Sequence, residues 1–311
     1  MNNTGLRLKE KNIASYYLIK TAIFKSNMKT TFKKLMKNPT AVIGGILVLA
    51  AVIIAFLGPA FVPHDPVKAN LRAILLPPFW MEGGSFANIL GTDHLGMDIF
   101  SRIIAGARLS LLVGFLTVSI SIVIGTSLGL VSGYIRGPVD AFISRFADLL
   151  LAFPWLIFAL GVMAVLGPGF GNLVFALTFK GWVGFFRVVR GEVLAQKTRE
   201  YVEAAQALGQ GSTNIMLREI LPNVLNSVLV LGTLRMGFMI IMEASLSFLG
   251  LGIPYPEPAW GSMVNVGRPV MLTAWWVSTF PGLAILTLVL SINLLGEGLR
   301  DVFDPRLKEI D

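Results

Sequence analysis

Three stretches of this chain carry no charged side chain over the length that a lipid bilayer selects: Thr40 to Val62, Leu109 to Ile135 and Pro269 to Gly296. A helix rises about 1.5 Å per residue and the hydrocarbon layer is about 30 Å thick, so about 20 apolar residues cross it. Each stretch therefore reads as a membrane-spanning helix, and Trp275 and Trp276 fall where an interfacial belt would sit. Leu149 to Phe179 is also uncharged but too long for one crossing, and its Gly167-Pro168-Gly169 tripeptide is a breaker. We divide it into a third helix near Ala141 to Leu166 and a fourth near Asn172 to Val189, which carries Lys180. A fifth, about Asn223 to Leu246, carries Arg235 and Glu243. The expected fold is all-α, a polytopic membrane protein of six transmembrane helices.

Composition agrees with a lipid solvent, because 54% of the residues are hydrophobic and only 14% are charged, where a soluble domain has about a quarter charged. With no cysteine, neither a disulfide framework nor a thiolate metal site can be built. Residues 1–38 hold nine Lys or Arg against one acid, Glu10. A basic tail can bind nucleic acid, but one placed directly before an apolar run reads better as a topology signal kept in the cytoplasm. It fits a signal peptide poorly, since the charged leader is long and the apolar run exceeds a signal core. Lys29 to Lys37, with Phe32, Leu35 and Met36 among four lysines, is either an amphipathic helix on the inner membrane face or a disordered tail.

Six spans put both termini on one side, and the basic residues test this. Nineteen fall in the segments assigned to the cytoplasm and five in the external ones: Lys68, Arg72, Arg102, Arg108 and Arg268. That is the positive-inside bias. The organisation expected is a basic tail over 1–38, a first span over 39–62, an external loop over 63–108, and a core over 109–296. The core contains a cytoplasmic loop over 191–222 and an external loop over 247–273, and 297–311 form a cytoplasmic tail. The two external loops are rich in proline and read as ordered caps rather than flexible linkers.

Residues 191–222 are polar and helix-favouring in an otherwise apolar chain. Val193, Leu194, Val202, Ala205 and Leu208 fall near helical spacing, Gly209 permits a left-handed stop, and Ser212 or Thr213 can cap a second short helix ending at Pro222. Periodicity alone leaves two readings open: a surface hairpin that only joins two spans, or a functional helix-turn-helix.

The spelling Glu203-Ala204-Ala205, three residues, Gly209, then Ile220-Leu221-Pro222 resembles the EAA loop of permease subunits in binding-protein-dependent ABC importers. Further matches are Gly91-Thr92-Asp93-His94-Leu95-Gly96-Met97-Asp98, Glu243 to Gly252, Trp260-Gly261, Trp275-Trp276, Pro281-Gly282, Asn293 to Asp301 and Asp304-Pro305-Arg306. These are similar to the peptide/nickel class, and most to the second, C-type permease of dipeptide and oligopeptide importers. Met97 departs from the class, which usually has Arg there. The resemblance implies the type I importer fold in a bacterial or archaeal cytoplasmic (inner) membrane. It also implies that the loop is a coupling helix seated in a groove of an ATPase. The chain would be half of a translocation path for peptides and no enzyme, assembled with a homologous second permease as a heterodimer, two cytoplasmic ATPases and an extracytoplasmic solute-binding protein. No cofactor is expected in this chain, and ATP and Mg would be bound by the ATPases. Consistent with that division of labour, no Gly-Lys dipeptide exists from which a phosphate-binding loop could be built.

Lys180 and Arg235 lie inside spans, where a charge faces a cavity or a partner. Each is a candidate for lining the translocation path or for an ion pair or subunit contact, and Glu243, two turns beyond Arg235, could neutralise it. His94 between Asp93 and Asp98, and His64 beside Asp65, suggest metal only weakly without a third ligand. The two Asp read better as caps of turns. No catalytic constellation occurs with only two histidines. An ion-coupled secondary transporter or channel is the competing function, but it would place acidic or histidine relays in the spans, whereas the mid-membrane charges here are mainly basic.

Overall fold

The computed structural model describes residues 35–303. Among them there is no strand; the chain is a bundle of α-helices, as lipid demands, because only a helix pairs every backbone N–H and C=O within its own segment. The helices are α1 (Pro39–Leu57), α2 (Ile99–Ile135), α3 (Gly137–Ala152), α4 (Trp155–Leu166), α5 (Phe170–Gln196), α6 (Glu200–Ala207), α7 (Leu221–Phe248), α8 (Trp260–Gly267) and α9 (Trp276–Phe303). Five segments are long and apolar enough to cross a membrane; the count reaches six when α3 and α4, bent by 92° at their junction, serve as one span.

Local chemistry sets the starts. Asn38 accepts the amides of Thr40 and Ala41 with Pro39 in the first turn, and Asp98 accepts that of Ser101 at the head of α2. The α2–α5 pairing is the most extensive in the bundle. Gly125, Gly129 and Gly133 form one stripe of α2; a Cβ on them would stand 2.6 Å from Phe185, 2.8 Å from Val189 and 2.9 Å from Val193. Small residues at this spacing let two membrane helices approach to backbone contact. α9 packs between α1 and α7, while α1 stays peripheral with most of its apolar side chains exposed.

Several expected boundaries shift. The loop over 63–108 is shorter, because α2 begins at Ile99 and not near Leu109. Arg102 and Arg108 end the apolar run in the sequence, yet Arg102 is only 1% exposed, held by Pro66, Asp93 and Met97 of the segment that leads into α2 and by the Tyr255 ring. The third helix is not one rod over 141–166: Pro154 forces Phe153 into extended backbone and α3 stops there. The fourth runs on to Gln196, the external loop over 247–273 contains α8, and the last helix begins at Trp276 and continues to Phe303, past the expected tail boundary at 297. Trp276 is buried and donates to the Thr92 carbonyl, so only Trp275 remains to meet an interface. The basic tail, most of the amphipathic segment Lys29 to Lys37, and Asp304-Pro305-Arg306 lie outside the described residues.

Candidate functional site

The hairpin between α5 and α7 is built from its apolar side inward. Val202 and Ala205 of α6, together with Ile215 and Ile220, are buried and join Val189, Val193 and Val224 in one core cluster. The segment is therefore seated on the bundle and is not a loop hanging free. α6 closes with two bonds that define its exit: Gly209 N–H donates to the Gln206 carbonyl (2.9 Å) and Gln210 N–H to the Ala205 carbonyl (3.0 Å). This is a Schellman stop, and it needs the left-handed φ of +73° that Gly209 supplies.

The second limb differs from its expectation. Ser212 does not cap by its side chain, and Pro222 does not end the helix. Instead Ile215–Ile220 widens into a π turn and the chain runs without interruption from Ser212 to Phe248. A proline ring clashes with the carbonyl four residues before it, and a widened turn relieves that clash without breaking the rod. One limb of the hairpin is thus the end of a membrane helix.

Sequence reasoning missed the brace across the hairpin. The Tyr201 hydroxyl donates to Gln196 Oε1 at the end of α5 (2.9 Å), and Asn223 Nδ2 in the first turn of α7 donates to the Tyr201 oxygen (3.3 Å) and the Glu219 carbonyl (2.7 Å). Below it, Arg190 grips Asp140 of α3 through two bonds of 2.5 and 2.7 Å, and Lys197 caps the Tyr134 carbonyl at the end of α2 (2.8 Å).

The opposite face of the hairpin has no such partners. Glu203, Ala204 and Gly209 are exposed, and the Glu203 carboxylate makes no hydrogen bond or ion pair with any described residue. Leu208, expected on the inward stripe, is 84% exposed because the Schellman stop turns it outward past the last turn of α6. Leu221 and Pro222 are half-buried where the limb enters the bundle. The face thus offers a carboxylate, small side chains that permit close approach, and one large apolar group.

Homology now gives this face its context. Residues 125–309 match the family model described as binding-protein-dependent transport system inner membrane component, and residues 26–78 match that of the N-terminal TM domain of oligopeptide transport permease C. The chain belongs to the binding-protein-dependent transport system inner membrane component family. It is 42% identical over 273 residues to a dipeptide transport system permease protein of Haemophilus influenzae, covering 88% of this chain and 92% of the relative. It is 40% identical over 296 residues to a glutathione transport system permease protein of Pectobacterium atrosepticum, covering 95% and 97%. Its fold is that of a solved MetNI methionine ABC transporter in inward-facing conformations, with a TM-score of 0.54 at 17% identity, over 65% of this chain and 97% of that one. The chain is therefore a multi-pass inner-membrane permease subunit of an ABC importer, and a transport subunit rather than a catalyst.

The two charges expected near the path part company. Lys180 is 2% exposed, and its amine donates to the Phe153 carbonyl, with Trp155 and Phe158 rings 5.5 and 5.6 Å from Nζ. It fills the orphaned end of α3 at the bend, and it makes no ion pair with any described residue. Arg235 is half-buried, its guanidinium 5.9 Å from the Phe238 ring. Glu243 does not neutralise it: the carboxylate is fully buried and accepts from Ser110 (3.2 Å) and Ser247 (2.8 Å).

At the far end of the bundle, Asp93 accepts the amides of Leu95 and Met97, and Asp98 accepts from Ser101 and Asn88, as caps of turns. Arg102 donates to the Pro66 carbonyl (2.7 Å) and the Met97 sulfur (2.7 Å), and its Nε lies 3.8 Å from Asp93. Met97, where the class usually has Arg, is thus an acceptor for this buried cation and also for the Tyr255 hydroxyl (3.2 Å).

Proposed function

We propose that this chain forms half of the translocation path of an ATP-driven importer for peptides, with a homologous second permease as the other half. Two ATPase subunits, which bind ATP and Mg, sit beneath it in the cytoplasm, and an extracytoplasmic solute-binding protein delivers the peptide at the far end. Both termini lie in the cytoplasm. Of the coupling residues Glu203, Ala204, Ala205, Gly209, Ile220, Leu221 and Pro222, the outward Glu203, Ala204 and Gly209 meet the ATPase, and Ala205, Ile220, Leu221 and Pro222 seat that handle on the bundle. Arg235 lines the path, and Lys180 holds the bend beside it.

The observation that carries this reading is the division of the hairpin into a buried face (Val202, Ala205, Ile215, Ile220) and an outward face of Glu203, Ala204 and Leu208. Because the second limb continues into a span of 37 residues from Ser212 to Phe248, a displacement at the tip moves that helix as a rod, and closure of the ATPases can rearrange the bundle. The relatives named for dipeptide and glutathione transport support a peptide-like cargo.

The chain has no cysteine, so a single Ala204→Cys or Leu208→Cys reports on its surroundings without background from this subunit. The expected result is labelling by a membrane-impermeant thiol reagent only from the cytoplasmic side, blocked when the ATPases are bound. Glu203→Lys and Gly209→Pro are expected to insert normally yet lose uptake. Labelling from outside the cell, or wild-type uptake in both variants, rejects the coupling role.

A further inference from the structure

Arg235 is a cation inside a membrane span for which the described residues provide no anion. The nearest acids along α7 and α5 both lie about two helical turns away. Glu243, eight residues on, or about 12 Å along the helix, bonds Ser110 and Ser247. Glu192 lies eight residues beyond Gly184 on α5, likewise about 12 Å away along that helix. The guanidinium lies against Gly184, where a Cβ would stand 3.1 Å from Nη2, so the missing side chain leaves room for the Arg fork. On its other flank an aromatic strip holds it: the Phe238 ring packs edge-on against Trp155 (5.4 Å, 77°), and Trp155 lies under the already bonded Lys180. A charge in a span is costly unless it meets water or an opposite charge, and a planar guanidinium is suited to two parallel bonds with a carboxylate.

We propose that Arg235, in the notch opposite Gly184, is the docking group for the carboxylate of the transported peptide as it passes the middle of the membrane. This rests on the reading that Arg235 lines the path and that the cargo is a peptide. The guanidinium gives the carboxylate a partner where the bilayer gives none. The Phe238–Trp155 strip keeps the fork from turning away.

The test uses the assembled importer with its binding protein in proteoliposomes, with the partners' accessible cysteines removed. Arg235→Cys should react with a small anionic methanethiosulfonate, and excess peptide should slow that reaction. No reaction would overturn the placement of the residue in the path, and with it the shared reading. Uptake is then compared for a dipeptide and its C-terminally amidated counterpart, as a ratio, so that the binding protein's own preference cancels. Arg235→Met should lower the acid-to-amide ratio by about tenfold, the scale of one charge-assisted hydrogen bond, and Arg235→Lys should restore part of it. A reactive cysteine with an unchanged ratio in Arg235→Met overturns the carboxylate role and leaves the path placement standing. Loss of the second permease from Arg235→Met complexes, restored by Arg235→Lys, would instead identify the anion as an acid of that subunit and overturn the proposal.

Discussion

The two ends of the bundle handle polar side chains in opposite ways. At the far end Arg102, Asp93 and Asp98 are buried and bonded to Pro66, Asn88, Met97 and Ser101, all in the stretch that leads into the head of α2. At the hairpin end the braces run underneath, through Tyr201, Arg190 and Lys197, and the outward face carries Glu203 and Leu208 with no intramolecular role. A group closed upon its own chain contributes to stability, whereas one left open is free to meet another chain, as proposed for the hairpin. Substitutions at the first end should therefore register in unfolding, and those at the second in transport.

The largest loss of stability is expected from Arg102→Ala, which leaves buried Asp93 with its amide bonds but without its cation. Removing one partner of a buried pair costs about 3–5 kcal/mol, to be read as a lower thermal midpoint in detergent; a wild-type midpoint would show that this end is not held by its charges. Next comes Asp98→Ala, which removes the cap of α2 and the acceptor for Asn88 and the Ser101 hydroxyl. A cap of this kind contributes about 1–2 kcal/mol, visible as faster amide exchange in the first turn of α2.

Tyr255 sharpens the comparison through pH. Burial, with Asp93 adding and Arg102 opposing, pushes its phenol up to about 12. The folded state thus favours the neutral phenol, so its stabilisation is present below the ordinary tyrosine value of about 10 and disappears as pH rises from there towards 12. The thermal midpoint should fall over that window in the wild type and fall less in Tyr255→Phe. An identical decline in both would detach Tyr255 from the network.

At the hairpin end, Gly209→Ala meets open space but must hold φ at +73°, at a cost of about 1–2 kcal/mol. Proteolysis at the hairpin should quicken while the global midpoint changes little. Glu203→Lys should alter stability least, within about 0.5 kcal/mol as for other exposed positions, while abolishing uptake. A large shift in its melting curve would mean that the outward face has an intramolecular partner after all.

Much of this was legible in the amino acids because the relevant forces act locally. Uncharged runs mark α1, α2 and α9, since hydrophobic length is a property of a segment. Gly209 marks the hairpin stop, since only a left-handed residue closes a Schellman turn, and Asp93 and Asp98 mark turns they cap two to four residues away. The misreadings came where a distant group intervened. Arg102 reads as a break in an apolar run, but the Pro66 carbonyl, 36 residues back, and the Tyr255 ring fold over it. In the sequence Gly167-Pro168-Gly169 is the conspicuous breaker, yet the chain also bends at Pro154, where Lys180, more than twenty residues on, satisfies the freed carbonyl of Phe153. Pro222 was read as a terminator when a π turn carries the helix through it.

The sequence by itself determined that this is an all-helical membrane chain, where most of its spans lie, and where a Gly-stopped hairpin interrupts them, because solvent, helix length and φ preference are fixed residue by residue. Only the tertiary structure decided which charges are used up and which remain available. Lys180 and Arg235 are alike as letters in apolar spans. Packing gave one a backbone carbonyl and left the other half-buried against Gly184 with no anion among the described residues, because partnership depends on what neighbouring helices bring within a few ångströms.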